Sequence, residues 1–335
     1  MNDEPVAVGV VGVGSMGQHH ARVYESLPEA NLVGVADADA DRAAEIAAQY
    51  GTAAYDLEGL LDRVDAVTIA VPTQYHLDIA STCLEADVDV LIEKPIANSV
   101  PEAEELIEIA EANDRILQVG HIERFNPAVE TLQEFIDELD VVSVTAKRLG
   151  PPPKRHIDDS AVLDLMIHDI DIVLSLLDET PQTVSGPGVK QNRHATATMT
   201  FDSNTVANLT ASRLTQKKIR TLDIVAEECL VRVDYMSKDV EIHRQSRPEY
   251  ITNEEDIRFR HESIVERPMV DSTEPLVSEL SAFIDAVSNR TTPVVDGEDG
   301  LTALQLARHI DQFRVEDADS VDEAFPPATS EVSLD

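Results

Sequence analysis

A chain of 335 residues that is 43% hydrophobic has room for two domains of ordinary size and is too apolar for wholesale disorder. No apolar run reaches the roughly 18 residues a membrane span needs, and the acidic start (MNDEP) does not read as a secretory signal, so a cytoplasmic protein is expected. The formal net charge of −38 is spread over the chain: it argues against nucleic acid and anionic membranes as partners, and it suits concentrated salt, which predicts a halophilic source.

Residues 6–13 (VAVGVVGV) form a β-branched run that passes through glycine-rich turn residues into a helical stretch, GQHHARVYESL. Further strands follow at 31–37, 65–71, 88–95 and 115–121, with amphipathic helical segments between them. Alternating strand and helix predicts a doubly wound parallel sheet covered on both faces. After residue 122 the rhythm changes. A helix (AVETLQEFIDEL), a strand (VVSVTAKRL), a proline-rich loop (GPPPKRHIDD) and an apolar helix (SAVLDLMIHDIDIVLSLL) lead into alternating apolar and polar runs from 185 to 245. These predict an antiparallel meander, closed by two late helices. The expected layout is a dinucleotide-binding Rossmann domain at 1–122, an α/β substrate domain with a large, mainly antiparallel open sheet at 123–315, and a disordered acidic tail at 316–335.

The turn Gly12-Val13-Gly14-Ser15-Met16-Gly17 is a G-x-G-x-x-G set between strand and helix. Gly12 permits the tight turn, Gly14 lets the backbone approach a pyrophosphate, and Gly17 lets the helix pack on the strand, while the helix amides face the anion. Asp37, 20 residues beyond Gly17, ends the second strand, where its carboxylate would accept hydrogen bonds from the adenosine ribose and repel a 2′-phosphate. NAD is therefore the expected cofactor. Arg42 keeps NADP as the alternative.

Glu93-Lys94-Pro95 ends a buried strand and places Lys94 at the carboxyl edge of the sheet, where open α/β folds bind ligands. Asp164, His168 and Asp171 are spaced by four and seven on an apolar helix, which puts them on one face. A histidine with a carboxylate one turn away is a general-base candidate, and a cation such as Lys94 would pull its pKa down again. No metal is expected, because no second histidine stands at helical spacing and Cys83 and Cys229 lack partners; His121 or His156 would have to come from elsewhere.

With these segments in hand, the sequence resembles the glucose-fructose oxidoreductase / inositol dehydrogenase / MocA-like (Gfo/Idh/MocA) family to about residue 315. The resemblance implies that the turn at Gly12, Gly14, Ser15, Met16 and Gly17, with Asp37, Glu93 and Lys94, binds the dinucleotide, and that Lys94, Asp164 and His168 carry catalysis. It also implies that Pro72, Thr73 and His76 of the V-P-T-x-x-H loop line the cofactor. The segments GHIERFNP and GPPPKRHIDDSAVLDLMIHDIDI look most like members that oxidise position 3 of a UDP-linked N-acetylglucosamine. Arg124, Asn126, Arg148, Lys154, Arg155 and Arg213 then become substrate-binding candidates, with Lys147 and Arg220 in the same basic cluster, although leucine, methionine and isoleucine stand before His168 where many relatives have glycine. A free polyol, inositol or aldose is the alternative substrate, and a non-catalytic NAD-binding sensor the alternative class. Relatives associate through the sheet face, so a homodimer or homotetramer is expected.

Overall fold

The computed structural model describes residues 4–152, 160–245, 249–253, 256–260 and 262–313. Six parallel strands form the first sheet: β1 (Val6–Val11), β2 (Ala30–Ala36), β3 (Ala53–Ala54), β4 (Ala66–Ile69), β5 (Asp89–Glu93) and β6 (Leu117–Gly120), in the order β3-β2-β1-β4-β5-β6. Helices α1 (Gly17–Ser26), α2 (Ala40–Gln49), α3 (Leu57–Leu61), α4 (His76–Glu85) and α5 (Val100–Ala112) connect them. Strands buried on both faces need apolar residues at every position, which is why β4 reads AVTI with all four residues buried. The strand order reverses between β1 and β4, so the turns after β1, β4 and β5 meet at one carboxyl edge.

After α6 (Pro127–Gln133) comes a mixed nine-stranded sheet whose centre is β7 (Val141–Leu149). It pairs in parallel with β11 (Val206–Ser212) and antiparallel with β12 (Ile219–Ala226). On the β11 side lie β10 (His194–Thr200) with β8 (Thr183–Ser185) and β9 (Gly188–Val189); on the β12 side lie β13 (Leu230–Asp234), β14 (Asp239–Gln245) and β17 (Ser263–Glu266). A separate hairpin joins β15 (Glu249–Asn253) and β16 (Asp256–Arg260). The mainly antiparallel sheet is as expected, but the meander is not continuous. The chain passes from β11 to β12 across an earlier strand, because two neighbours of β7 bury its inward face (Val144, Ala146, Arg148) better than an edge position would.

The apolar helix also differs from its sequence reading. It opens as a π turn over Val162–Met166 and becomes regular only at α7 (Ile167–Leu177). The wider turn breaks the simple four-residue stacking of Asp164 on His168.

Of the late helices, α9 (Gly297–Asp311) closes on the second domain as expected, Asn192 donating to Asp311 at its end, whereas α8 (Pro275–Asn289) turns to the first sheet. Leu276, Leu280, Phe283 and Ile284 of α8 join the cluster of Val6, Val8, Val10, Tyr24 and Leu27. A Cβ at Gly300 would stand 2.6 Å from Val119 Cγ2 of β6, so α9 also packs closely on the first sheet. Among the described residues no helix is long and apolar enough to cross a membrane. The acidic tail from 316 lies outside them.

Candidate active site

The glycine turn has the geometry its motif demands. Gly12 has φ +84°, and a Cβ there would lie 2.7 Å from Val71 Cγ1. A Cβ on Gly17 would stand 1.8 Å from the Gly12 carbonyl oxygen, so only glycine lets α1 start so close to β1. At Gly14 a Cβ would meet nothing within 4 Å, which leaves open space against exposed backbone, with exposed Ser15 and half-buried Met16 beside it. A dinucleotide pyrophosphate fits such a cradle. Asp37 accepts from the Val13 amide at 2.7 Å through one carboxylate oxygen and from the Asp39 amide at 2.9 Å through the other, which fixes its orientation at the rim. Arg42 is committed elsewhere, donating to the Val13 carbonyl, Glu45 and Gln18.

Pro72 is exposed and Thr73 half-buried on the loop after β4, at the same edge as the glycine turn. His76 is different. Its ring is buried, with Nδ1 3.0 Å from the Pro95 carbonyl and Nε2 3.0 Å from the Val71 carbonyl, so it ties this loop to the turn after β5 and does not itself line an open surface. Burial outweighs these carbonyls and lowers its pKa.

Lys94 reaches from the end of β5 to the π turn, donating to the Asp164 carbonyl at 2.7 Å and standing 3.4 Å from Asp164 Oδ1. Arg213, which follows β11, donates to Asp164 Oδ2 at 2.5 Å. Burial pushes the Asp164 carboxyl up, yet Lys94 and Arg213 together outweigh it and hold the group below its usual value. His168 stands well below the ordinary imidazole value, first through burial and then through Lys94, Arg148, His121 and Arg220. Burial first, and the cations after it, decide the contest that the sequence left balanced.

Asp171 is not part of this group. Arg124 grips it with two buried bonds of 3.0 and 2.8 Å and adds the half-exposed Asp299 at 3.3 Å. Arg124 is therefore spent on structure and leaves a substrate little surface to contact. Asn126 is likewise buried, capping α6 and donating to Glu123 and the Tyr235 carbonyl. Arg148 bonds both oxygens of Asp169 and Glu123 Oε1, and with its side chain only 2% exposed it offers a substrate a fixed charge and little contact surface. Lys147, its neighbour on β7, is exposed, because alternate strand residues face opposite sides. Lys154, Arg155 and His156 lie outside the described residues.

Arg148, Arg213 and Arg220 nevertheless converge, because Arg220 of β12 sits in register with Arg148 of β7 while Ser212, just before Arg213, pairs with Leu149. With Lys218, Asp164, Leu165 and Gly150 they line a cleft of about 170 Å³. Lys218 was missed by the sequence reading. Repulsion from Arg220 lowers its pKa, a sign of crowded positive charge in a strongly acidic protein. A larger hollow of about 560 Å³, lined by Glu4, Pro28 and Asp285, opens near the amino end of β1, away from this chemistry. His20, 0% exposed, was missed too; its Nε2 lies 2.9 Å from Glu93 Oε1, so α1 braces the residue before Lys94. Its signal was a polar residue one turn after Gly17 on the buried face. Among the described residues no group of three or more His, Cys, Asp or Glu could hold a metal ion.

Residues 6–121 match the oxidoreductase family with an NAD-binding Rossmann fold (Gfo/Idh/MocA), and residues 138–232 match that family's C-terminal domain. The chain is 33% identical over 307 residues to the UDP-N-acetylglucosamine 3-dehydrogenase of Acidithiobacillus ferrooxidans, covering 90% of this chain and 95% of the relative. It is 27% identical over 320 residues to an inositol 2-dehydrogenase of Rhizobium meliloti, covering 90% and 94%. A solved structure of the Acidithiobacillus enzyme superposes with a TM-score of 0.82 at 32% identity, over 93% of this chain and 98% of that one.

Proposed function

Because the chain belongs to the Gfo/Idh/MocA family of oxidoreductases, we propose that it oxidises a sugar hydroxyl with NAD, at position 3 of a UDP-linked N-acetylhexosamine. The observation that carries this reading is the junction of Lys94 with Asp164 at the carboxyl edge of the Rossmann sheet, within electrostatic reach of His168 and beside a cleft lined by Arg213, Lys218 and Arg220. Bound at the glycine turn, NAD supplies the hydride acceptor. His168, held uncharged by burial and cations, takes the hydroxyl proton; Lys94 polarises the hydroxyl oxygen; Asp164 fixes the ammonium of Lys94. Arg213, Lys218 and Arg220 receive the diphosphate, a charge that a sensor or a polyol enzyme would not need to bind.

NAD is favoured over NADP by Asp37 at the rim and by the commitment of Arg42 to Glu45 and Gln18. One observation favours a free polyol: the cleft is small, about the size of one sugar ring. The homo-oligomer reading draws on exposed Val142 and Val225, on neighbouring strands of the second sheet.

The test is incubation in multimolar KCl with NAD and UDP-N-acetylglucosamine, with myo-inositol and glucose in parallel and Lys94→Ala as control. NADH formed with the nucleotide-sugar alone, and abolished in the control, supports the reading. NADH formed only with the free sugars removes the diphosphate assignment, and none with any of them removes the enzyme reading.

A further inference from the structure

Behind His168 lies a second histidine that the catalytic account leaves unused. His121 follows Gly120, the last residue of β6, and is 0% exposed. Its ring meets that of His168 edge to face, with centroids 6.4 Å apart and planes at 84°. His121 Nδ1 stands 3.9 Å from Asp171 Oδ2, a carboxylate locked in place by Arg124. Neither nitrogen of His121 has a hydrogen-bond partner in the protein, and neither does Nδ1 of His168; all three atoms are buried. Buried polar atoms without partners are uncommon, and here three of them belong to two touching rings.

We propose that His121 is a positioning residue that fixes the tautomer of His168. The Asp171 carboxylate draws the proton of His121 to Nδ1, which leaves Nε2 as an acceptor. That acceptor takes the Nδ1 proton of His168 through one bridging water, and so keeps Nε2 of His168 bare for the substrate hydroxyl proton. The charged and titratable groups around His121 are Asp171 of α7, Arg124 in the turn after β6, Lys94 after β5 and Asp299 of α9; those around His168 are Lys94, Arg148 of β7, Arg220 of β12 and His121 itself. Burial keeps His121 uncharged, so it acts on His168 as an acceptor and not as a second cation. This inference rests on the reading of His168 as the base.

Two measurements test it on the whole protein. Nitrogen NMR of histidine-labelled protein should show neutral His168 protonated at Nδ1 in the wild type, and shifted toward the Nε2-protonated form in His121→Phe, which keeps the ring volume and loses both nitrogens. An Nε2-protonated His168 in the wild type, or an unchanged tautomer in His121→Phe, overturns the proposal, with or without turnover. In the assay above, His121→Phe should lower kcat roughly 10- to 100-fold with KM unchanged and move the acid limb of the kcat profile away from its wild-type position, since His168 loses the ring beside its Nδ1. His121→Gln, which restores an acceptor, should recover part of the loss. Equal losses in both variants with the wild-type pH profile mean a packing role only. His168→Ala separates the two ideas: activity in that variant removes the base assignment, whereas an inactive His168→Ala beside a fully active His121→Phe removes only the role of His121.

Discussion

The ammonium of Lys94 lies 2.7 Å from the backbone carbonyl of Asp164 and 3.4 Å from its carboxylate, so the end of β5 and the π turn before α7 meet across a single side chain. Removing it leaves Asp164 with Arg213 as its remaining cation among these partners. Lys94→Ala should lower kcat about 10²- to 10⁴-fold. Folding stability should change by no more than about 1 kcal/mol, because the pair is partly open to solvent. Steady-state kinetics and urea unfolding on the same preparation check both halves.

Arg124→Ala should behave in the opposite way. The loss strands the buried Asp171 carboxylate and should cost about 3–5 kcal/mol of stability, whereas KM for the sugar should follow only what unfolding explains. A selective rise in KM at full stability would return Arg124 to the substrate site.

Three histidines, His76 and His121 buried and His168 half-buried, all bind protons less readily than free imidazole. Once unfolded, each takes a proton near pH 6.5; folded, each does so only at lower pH. The unfolded state thus binds more protons as pH falls below about 6.5, so stability is complete above that value and is lost progressively below it, at up to about 1.4 kcal/mol per pH unit for each ring. Denaturant midpoints between pH 8 and pH 5 should trace this loss, and a flat profile would contradict the uncharged state of the rings.

Glu279 on α8 produces the reverse slope. It is 0% exposed and neither carboxyl oxygen has a hydrogen-bond partner; burial, then Glu93 and Asp171, push its pKa well above the usual carboxylate range. The unfolded chain releases this proton at ordinary acidic pH while the folded chain keeps it, so its contribution to stability is full at low pH and falls as pH rises toward the folded value. Glu279→Gln should match the wild type near pH 4 and exceed it increasingly toward pH 8, which urea unfolding at the two pH values would detect.

The net charge of −38 predicts a stability that rises with salt, since screening relieves repulsion among scattered carboxylates. The melting temperature should climb between 0.1 M and 2 M KCl. A midpoint that stays level would remove the basis for the halophilic reading.

The features legible in the sequence were those that a single residue type must satisfy locally. A positive φ at Gly12 and a 1.8 Å approach at Gly17 admit only glycine, so the cradle was readable from six residues. Lys94 stood out because a charged residue closing a buried strand has few places to go. What the sequence hid was the choice of distant partners. Asp171 lies 47 positions from Arg124, and nothing near either residue tells that Arg124 would claim Asp171. The basic cluster already groups Arg220 with Arg148, but the strand register that pairs them was not readable, and the π turn shifted Asp164 away from the stacking that regular helical spacing predicts. Glu279 left a faint mark, an acid on the apolar face of α8 between Leu276 and Phe283.

The return of α8 to the first sheet also bears on how the chain is made. Val6, Val8 and Tyr24 leave the ribosome some 250 positions before Leu276, Leu280 and Phe283, which complete their core. The first sheet must wait, with one apolar flank uncovered, through synthesis of the whole second sheet. A fragment cut after residue 122 would carry that uncovered flank permanently, so a self-sufficient nucleotide-binding unit would need α8 spliced back onto it.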